Sequence, residues 1–208
     1  MLNSISDSLG ENSTFFFGLA AAFLVVTALG AALNTFTDRT IGLIIKEIFQ
    51  AAGYGTAFIG GLSLAASLMD DSKWLSRAAG VLAALGAIGA AVLFLGYTLQ
   101  PLGVIGQVPT WVVAFGIGVP LGQIGLLLFG VSALRSDNYS VSAGLALMGP
   151  LLAFVLFFLG AGVLGQESAP FWAPFATVLL QTIAHLLLAL VFTGEVTRLS
   201  EPAAQPAA

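Results

Sequence analysis

The sequence predicts an all-α, polytopic integral membrane protein in which six transmembrane helices form one bundle. Of its 208 residues, 58% are hydrophobic and only 8% are charged, whereas a soluble domain carries about 25% charged residues. Six apolar stretches of about 20 residues, the length needed to cross the hydrocarbon of a bilayer, fill most of the chain. These stretches lack the alternation that a β-barrel wall requires, so helices are predicted.

The six predicted spans follow one another with short connections. They are residues 15–33, 41–69, 77–100, 110–134, 142–164 and 172–194. Residues 1–14 carry Asp7 and Glu11 but no lysine or arginine, which predicts a short cytoplasmic segment before a retained span and not a signal peptide. Residues 195–208 end in a Pro/Ala-rich stretch and predict a short, disordered cytoplasmic tail. Residues 15–194 then form a single transmembrane domain.

Two of the predicted helix hairpins share short sequence patterns. Residues 79–80 and 143–144 both read Ala-Gly, and residues 94–96 and 158–160 both read Phe-Leu-Gly at the same separation. The hairpin of the second and third spans would then be repeated, in parallel orientation, in the fourth and fifth spans. The alternative is that helices rich in alanine, glycine and leucine resemble one another through composition alone.

Lysine and arginine residues near the span ends indicate the orientation, because cytoplasmic loops carry an excess of them. The side that holds both termini has four such residues, which are Lys73, Arg77, Arg135 and Arg198. The opposite side has Arg39, together with Lys46 if that side chain extends toward water. Four residues against one or two predict a cell-membrane protein with both termini in the cytoplasm.

The composition excludes several classes of site. A net charge of −4 argues against a nucleic-acid interface, and the absence of cysteine excludes disulfides, thiolate nucleophiles and cysteine-ligated metals. His185 is the single histidine, so centres built from several histidines are excluded as well, and no metal or cofactor is predicted. Catalysis would depend on Glu47 and His185 alone, which makes an enzyme the least favoured class.

Small residues recur at four-residue steps along the second span. They are Gly53, Ala57, Gly61 and Ala65. Lipid tails are as apolar as leucine, so helices in a membrane associate through close packing of small residues and through polar contacts. The stripe therefore predicts a helix face that packs closely against another helix.

Glycine and proline mark candidate helix breaks in two spans. Gly118, Pro120 and Gly122 lie near the middle of the fourth span, and Pro150 lies near the middle of the fifth. Proline removes a backbone donor and crowds the preceding turn, and glycine weakens the helix around it. Transporters place broken helices at the midplane, where the helices contact solute. The alternative is an ordinary proline kink, which neighbouring groups stabilise.

Polar side chains inside the spans form two short stripes. Gln50 and Tyr54 are separated by one helical turn on the second span, as are Gln181 and His185 on the sixth. With a rise of about 1.5 Å per residue, Gln50 and Gln181 fall at one depth, and Tyr54, His185 and Gln123 fall at a deeper one. The matching depths predict that these groups face one interior cavity. The alternative is that each forms an ordinary hydrogen bond between helices.

Glu47 is the acidic residue within the predicted spans. It adjoins Lys46, but neighbours on a helix point about 100° apart, which predicts poor pairing between the two side chains. Because a buried carboxylate is unfavourable unless it is paired or neutral, Glu47 is either an interfacial anchor or part of the cavity. The complete candidate set for the polar cavity is Glu47, Gln50, Tyr54, Gln123, Gln181 and His185.

Two functions are compatible with these features. The first is a permease for a small solute or a proton-linked transporter, with a polar cavity between the second, fourth and sixth spans. The second is a non-catalytic accessory, assembly or sensory subunit of a larger membrane complex, which the short loops and small-residue faces also fit. The predicted partners are the lipid bilayer and, for the second function, other membrane subunits or further copies of the chain.

Overall fold

The computed structural model describes the backbone of residues 2–37, 40–69, 72–164 and 170–200, and side chains from residue 12 to residue 194 except 38–39, 66, 70–71 and 157–169. Within these residues all regular structure is helical, which confirms the predicted all-α class. The helices are α1 (Leu2–Thr37), α2 (Thr40–Leu68), α3 (Lys73–Leu99), α4 (Thr110–Phe115), α5 (Gly118–Ala133), α6 (Val141–Leu164) and α7 (Ala173–Ser200).

Among the residues that the structure describes, four helical segments are long and apolar enough to cross a membrane. They are Asn12–Thr37, Lys73–Leu99, Thr110–Ala133 and Ala173–Gly194. A shorter apolar stretch, Val141–Leu156, belongs to α6. α2 carries Lys46, Glu47 and Gln50 within a sequence that is otherwise largely apolar. These helices indicate a membrane location.

The terminal helices extend beyond the spans expected from the sequence. The backbone of α1 is helical from Leu2, so helix occupies most of the predicted N-terminal segment, residues 1–14. The tail prediction is corrected in part, because α7 remains helical to Ser200 instead of ending at residue 194. Residues 201–208 lie outside the described part of the chain.

The helices pack largely in chain order. α1 contacts α2, α2 contacts α3, α3 contacts α5, α5 contacts α6 and α6 contacts α7, while α7 returns to α1. An additional contact between α2 and α5 joins opposite sides of this arrangement. Between α1 and α7, the rings of Phe17 and Phe192 meet edge to face, with centroids 4.9 Å apart. Both rings are fully buried, so the first and last helices share the core.

The closest approach of two backbones that positions the site is a seam of glycines between α3 and α5. A methyl group added at Gly86 would lie 2.5 Å from Cα of Gly122. One added at Gly89 would lie 3.0 Å from Cα of Gly118 and 2.5 Å from the carbonyl oxygen of Phe115, the last residue of α4. The ring of Phe58 from α2 lies over Gly122, where an added methyl group would be 2.6 Å from it. Larger residues would push these helices apart.

The small-residue stripe of α2 contacts two different helices. A methyl group at Gly53 would meet the side chain of Leu24 on α1 at 2.7 Å, whereas one at Gly61 would meet Leu126 on α5 at 2.8 Å. The prediction of a closely packed face is confirmed at both positions. The expectation that the stripe packs against a single helix is wrong, because α2 lies between α1 and α5.

The repeat of the two helix hairpins stays a prediction, because the described residues do not test it. Ala79 and Ala143 are both fully buried. Gly80, in contrast, has nothing within 4 Å of an added methyl group, while one at Gly144 would lie 2.6 Å from Leu134. The side chains of residues 158–160 lie outside the described part of the chain.

Candidate functional site

The fourth predicted span is interrupted at residues 116–117, between α4 and α5. Here the backbone tightens to hydrogen bonds between residues three apart, the spacing of a 3₁₀ turn. These bonds run from Gly116 N to Val113 O at 2.9 Å, from Ile117 N to Ala114 O at 3.2 Å and from Val119 N to Gly116 O at 3.0 Å. Both residues of the interruption keep right-handed helical dihedrals. The helix is therefore wound more tightly at this point and continues as α5.

Pro120 accounts for the position of this interruption. A proline has no N–H, and its ring crowds the carbonyl four residues earlier, here that of Gly116. That carbonyl accepts from Val119 instead. Pro120 therefore lies in the first turn of α5, where proline is tolerated. The break lies before Gly118, Pro120 and Gly122, the residues expected from the sequence, and all three belong to the helix that follows it.

The expected break at Pro150 is absent, because α6 continues through this residue. Pro150 is buried, and its carbonyl oxygen accepts a hydrogen bond of 3.2 Å from Nε2 of Gln181 on α7. Proline is accommodated in membrane helices when groups of a neighbouring helix satisfy the backbone around it. This residue links α6 to α7 and leaves α6 uninterrupted.

A cavity of about 240 Å³ lies beside the interruption. It is lined by Glu47, Gln50, Ala51 and Tyr54 of α2, Leu93 and Tyr97 of α3, Gly116 of the interruption, Val119 and Pro120 of α5, and Phe154 of α6. Three of the polar residues expected in a cavity line it, namely Glu47, Gln50 and Tyr54. Pro120, one of the residues expected at a helix break, lines it as well. Gln123, Gln181 and His185 do not line it.

Tyr97 was missed by the sequence reasoning. It lies near the end of α3 and lines the cavity. A lone tyrosine close to a predicted span end is typical of an aromatic belt at the membrane interface, so its residue type carried no separate signal. Only the packing of α3 against α2 and α5 places it at this site.

Glu47 and Lys46 form an ion pair, with Nζ of Lys46 2.7 Å from Oε1 of Glu47. The prediction that these neighbours pair poorly is wrong. The four-carbon stem of lysine is long and flexible enough to curve around the helix surface, although the two Cβ atoms point in different directions. Glu47 thus lines the cavity as a carboxylate whose charge is balanced on the same helix. Arg39, the other basic residue expected on this side of the membrane, lies outside the described residues.

Tyr54 connects the cavity to the deeper interior. At the cavity, Nε2 of Gln50 donates a hydrogen bond of 3.2 Å to the hydroxyl of Tyr54. Farther in, the ring of Tyr54 lies 5.9 Å from the ring of His185 on α7 and is stacked 6.4 Å from the ring of Phe58. Only 6% of Tyr54 is exposed. The structure therefore brings together Gln50, Tyr54 and His185, which lie on two helices.

His185 is held by its own helix. Its Nδ1 lies 2.8 Å from the main-chain oxygen of Gln181. Because a carbonyl oxygen can only accept, Nδ1 carries the proton of a neutral ring and donates it, which leaves Nε2 as an acceptor. Nε2 has no hydrogen-bond partner among the described residues.

Three further buried atoms have no hydrogen-bond partner in the described part of the chain. They are Nε2 and Oε1 of Gln123 and Oε1 of Gln181. Gln123 is 0% exposed, and it lies three and four residues after Pro120 and Val119, which line the cavity. Residues at this spacing share one face of a helix. Gln123 therefore lies one turn deeper than the cavity, on the face of α5 that borders it.

The site offers hydrogen-bonding groups and one balanced charge. Within the described residues, no group of three or more His, Cys, Asp or Glu side chains is placed to hold a metal ion. The arrangement is suited to binding a small polar molecule. The chain matches no family model, no curated protein and no solved structure.

Proposed function

We propose that this chain is a six-span membrane permease that binds a small polar solute in the cavity beside the interrupted fourth span. The observation that carries the proposal is the position of the cavity. Its wall combines Glu47, Gln50 and Tyr54 of α2 with Gly116 of the interruption and Pro120 in the first turn of α5. Interrupted helices beside a polar cavity are the arrangement by which transporters contact their solute.

The connections support six crossings. α2 has 29 residues, a length of about 43 Å, which is sufficient to cross a bilayer. It packs along both α1 and α3 and is joined to them through residues 38–39 and 69–72. If α1 and α3 both cross the membrane, such short connections require α2 to return across it. The same reasoning applies to α6 between α5 and α7.

The interruption supports movement at the cavity. A 3₁₀ stretch inside a longer helix has weaker hydrogen-bond geometry than the helix on either side, and such stretches often act as hinges. Here α4 joins α5 through Gly116 and Ile117, which are close to the cavity wall. Rotation of the six-residue α4 about this point would change access to Glu47 and Gln50.

The alternative function, a non-catalytic subunit of a larger complex, has less support. It relied on small-residue faces that would be available to a partner. Gly53, Gly61, Gly118 and Gly122 instead pack against helices of the same chain, where an added methyl group would meet another atom at 2.8 Å or less. The faces that suggested a partner are used inside the fold.

We also propose that the permease lies in the cell membrane with both termini in the cytoplasm, on the basis of Lys73, Arg77, Arg135 and Arg198. The cavity would then open toward the outer side, because Lys46 and Glu47 lie near the start of α2. The chain has no native cysteine, so a single cysteine at position 107 can be labelled selectively. Labelling by an impermeant reagent from outside supports this orientation, and labelling only from the cytoplasmic side contradicts it.

The proposed function can be tested by reconstituting the purified protein into lipid vesicles and measuring uptake of neutral, cationic and anionic solutes of cavity size. Gln50→Leu and Tyr54→Phe should lower uptake of the transported solute, because both change the polar wall. Gln107→Leu, at an exposed position of the loop before α4, is the matched control and should keep wild-type uptake. Purification with a fixed protein partner, together with no uptake of any solute, would favour the alternative.

A further inference from the structure

Glu47 gives the cavity wall a negative charge, and a primary ammonium of the same chain is bound to it. Of the charged side chains that the structure describes, Glu47 alone lines the cavity. Nζ of Lys46 donates a hydrogen bond of 2.7 Å to Oε1 of this carboxylate, although Lys46 does not itself line the cavity. This contact shows that the position of Glu47 can bind an NH₃⁺ group. A carboxylate has about four acceptor sites, so one lysine does not saturate it.

Gln50 adds an acceptor beside this carboxylate. It follows Glu47 by three residues on α2, so the two side chains share one helix face. Nε2 of Gln50 donates to the hydroxyl of Tyr54 at 3.2 Å, while Oε1 has no donor among the described residues. Carboxylate and amide oxygens accept hydrogen bonds and donate none. This part of the wall therefore favours a ligand with N–H or O–H donors, and the negative charge favours a cation.

Tyr97 of α3 lies at the same end of the cavity as Glu47. α2 and α3 form an antiparallel hairpin, and a methyl group added at Gly55 would lie 3.4 Å from Cβ of Ala90, so these two residues are at one height. Glu47 precedes Gly55 by eight residues, and Tyr97 follows Ala90 by seven. With a rise of about 1.5 Å per residue, Glu47 and Tyr97 differ in height by only about 1.5 Å. An ammonium at Glu47 can thus contact Tyr97 as well, through its hydroxyl or its ring.

The deeper part of the cavity wall offers apolar side chains. Leu93 precedes Tyr97 by four residues, so it lies about 6 Å deeper. Gly118, next to Val119, packs against Gly89, which precedes Tyr97 by eight residues and lies about 12 Å deeper. The volume of about 240 Å³ is below the roughly 300–1,000 Å³ of pockets for drug-sized ligands. A short alkyl chain that extends inward from the ammonium fits this wall.

Charge balance requires the bound cation to replace Lys46. Glu47 and Lys46 together are neutral, and a further cation would leave one positive charge uncompensated within the membrane, which is unfavourable. The side chain of Lys46 is 23% exposed and belongs to the first turns of α2. Its long stem can therefore carry Nζ into water. An exchange of one ammonium for another keeps the site neutral.

We infer that the cavity binds a small primary alkylammonium, which displaces the ammonium of Lys46 from the carboxylate of Glu47. Lys46 is then a competitor within the same chain, because it offers the same NH₃⁺ group. Related molecules match the wall less well: an alcohol lacks the charge, a quaternary ammonium lacks N–H groups, and a carboxylate is repelled by Glu47. This inference rests on the proposed permease function and names the solute class for it.

The first test is the binding of labelled n-propylammonium to the full-length protein in detergent micelles, measured by equilibrium dialysis. We expect saturable binding that ethylammonium reverses and that 1-propanol, propionate and tetramethylammonium do not. Competition by 1-propanol as strong as that by ethylammonium would overturn the requirement for charge. Equal competition by tetramethylammonium would overturn the requirement for N–H groups.

The exchange predicts that removal of Lys46 tightens binding. Lys46→Gln should lower the Kd for n-propylammonium about threefold, because an exposed ion pair is worth up to about fivefold in an equilibrium constant. Lys73→Gln removes the same charge at the exposed first residue of α3 and should keep the wild-type Kd. An unchanged or raised Kd in Lys46→Gln would overturn the exchange.

Removal of the negative charge should have the opposite effect. Glu47→Gln keeps an acceptor oxygen but should raise the Kd at least about tenfold, since hydrogen bonds to charged groups are the stronger ones. Asp137→Asn, at an exposed position of the loop after α5, is the matched control and should bind as the wild type does. Wild-type affinity in a folded Glu47→Gln protein contradicts the site. If thermal unfolding shows that this variant is not folded, the sign of the effect of Lys46→Gln decides.

Binding in micelles and uptake by vesicles separate this inference from the proposed function. Uptake of another solute without binding of n-propylammonium overturns the ammonium assignment and leaves the permease standing. Binding with the expected variant effects, but no uptake of any solute, supports the ammonium site and overturns the permease. The absence of both binding and uptake overturns both proposals.

Discussion

Helices pack in two different ways in this fold, through glycines at the seam between α3 and α5 and through large polar side chains around Tyr54. In the seam, Gly86 and Gly122 bring two backbones into direct contact, and Phe58 closes over them. Around Tyr54, large side chains of α2 and α7 meet through rings 5.9 Å apart, and nearby polar atoms stay unpaired. The first region is filled with apolar contacts, whereas the second retains hydrogen-bonding capacity.

The difference supports the proposed location of the solute-binding cavity. Helix association in lipid depends on van der Waals contact, so a seam of glycines is the more stable arrangement and leaves no space for a ligand. Tyrosine, histidine and glutamine hold helices farther apart, and their polar atoms need partners. A polar region that is less completely satisfied than the rest of the core is therefore the place to look for a solute.

The largest effect is expected in the seam. Gly86→Ala should lower the free energy of unfolding by about 1–3 kcal/mol, because the new methyl group meets the backbone of Gly122 and forces the helices apart. Gly80→Ala is the matched control on the same helix, where an added methyl group has nothing within 4 Å. It should raise the free energy by about 0.5 kcal/mol through helix propensity. Unfolding in mixed detergent micelles measures both, and equal effects would contradict the seam.

In the polar region, a substitution is expected to raise the free energy of unfolding instead of lowering it. Gln123→Leu should raise the free energy of unfolding by about 1 kcal/mol in the absence of solute, because it replaces two unpaired buried groups by an apolar side chain of similar size. The same micelle unfolding measurement applies. A loss of stability would show that Gln123 makes a hydrogen bond within the fold.

A smaller loss is expected where α3 and α5 meet through polar side chains. Ser76 donates to the carbonyl of Leu68, so the 2.9 Å contact with Ser132 has Ser132 as its donor. Ser132→Ala removes this bond and leaves the one to Leu68 intact. The free energy of unfolding should fall by about 0.6 kcal/mol, the average for hydrogen bonds between membrane helices. A loss as large as that of Gly86→Ala would mean that polar contacts, not glycines, dominate this interface.

The smallest change in stability is expected at the interruption. Pro120→Ala restores an N–H, but Val119 already donates to the carbonyl of Gly116, so the free energy should change by less than about 0.5 kcal/mol. Solute uptake should nevertheless fall, since a continuous helix would stiffen the link between α4 and α5. Pro101→Ala, at an exposed turn, is the control for uptake. Unchanged uptake in Pro120→Ala would remove the interruption from the mechanism.

Much of the helical framework could be predicted, because helix position depends on local sequence. The length of each apolar stretch located all the described helices, and Pro120 indicated an interruption within a few residues of the true one. The tight packing of Gly53 and Gly61 was also predictable, since small residues at a four-residue step share one helix face. The rise per residue along the helices predicted that Tyr54 and His185 lie at the same depth, and the rings of these two residues are in contact.

The remaining features depend on how whole helices are rotated against one another, which no local pattern determines. The tertiary structure alone put Gly53 against α1 and Gly61 against α5, placed Tyr97 at the cavity and kept α6 continuous through Pro150. The sequence by itself determined which residues are helical and apolar, because those properties are local. Only the tertiary structure decided which polar atoms found partners on other helices, as Gln181 did at the carbonyl of Pro150, because such a hydrogen bond requires two residues distant in sequence to meet at about 3 Å.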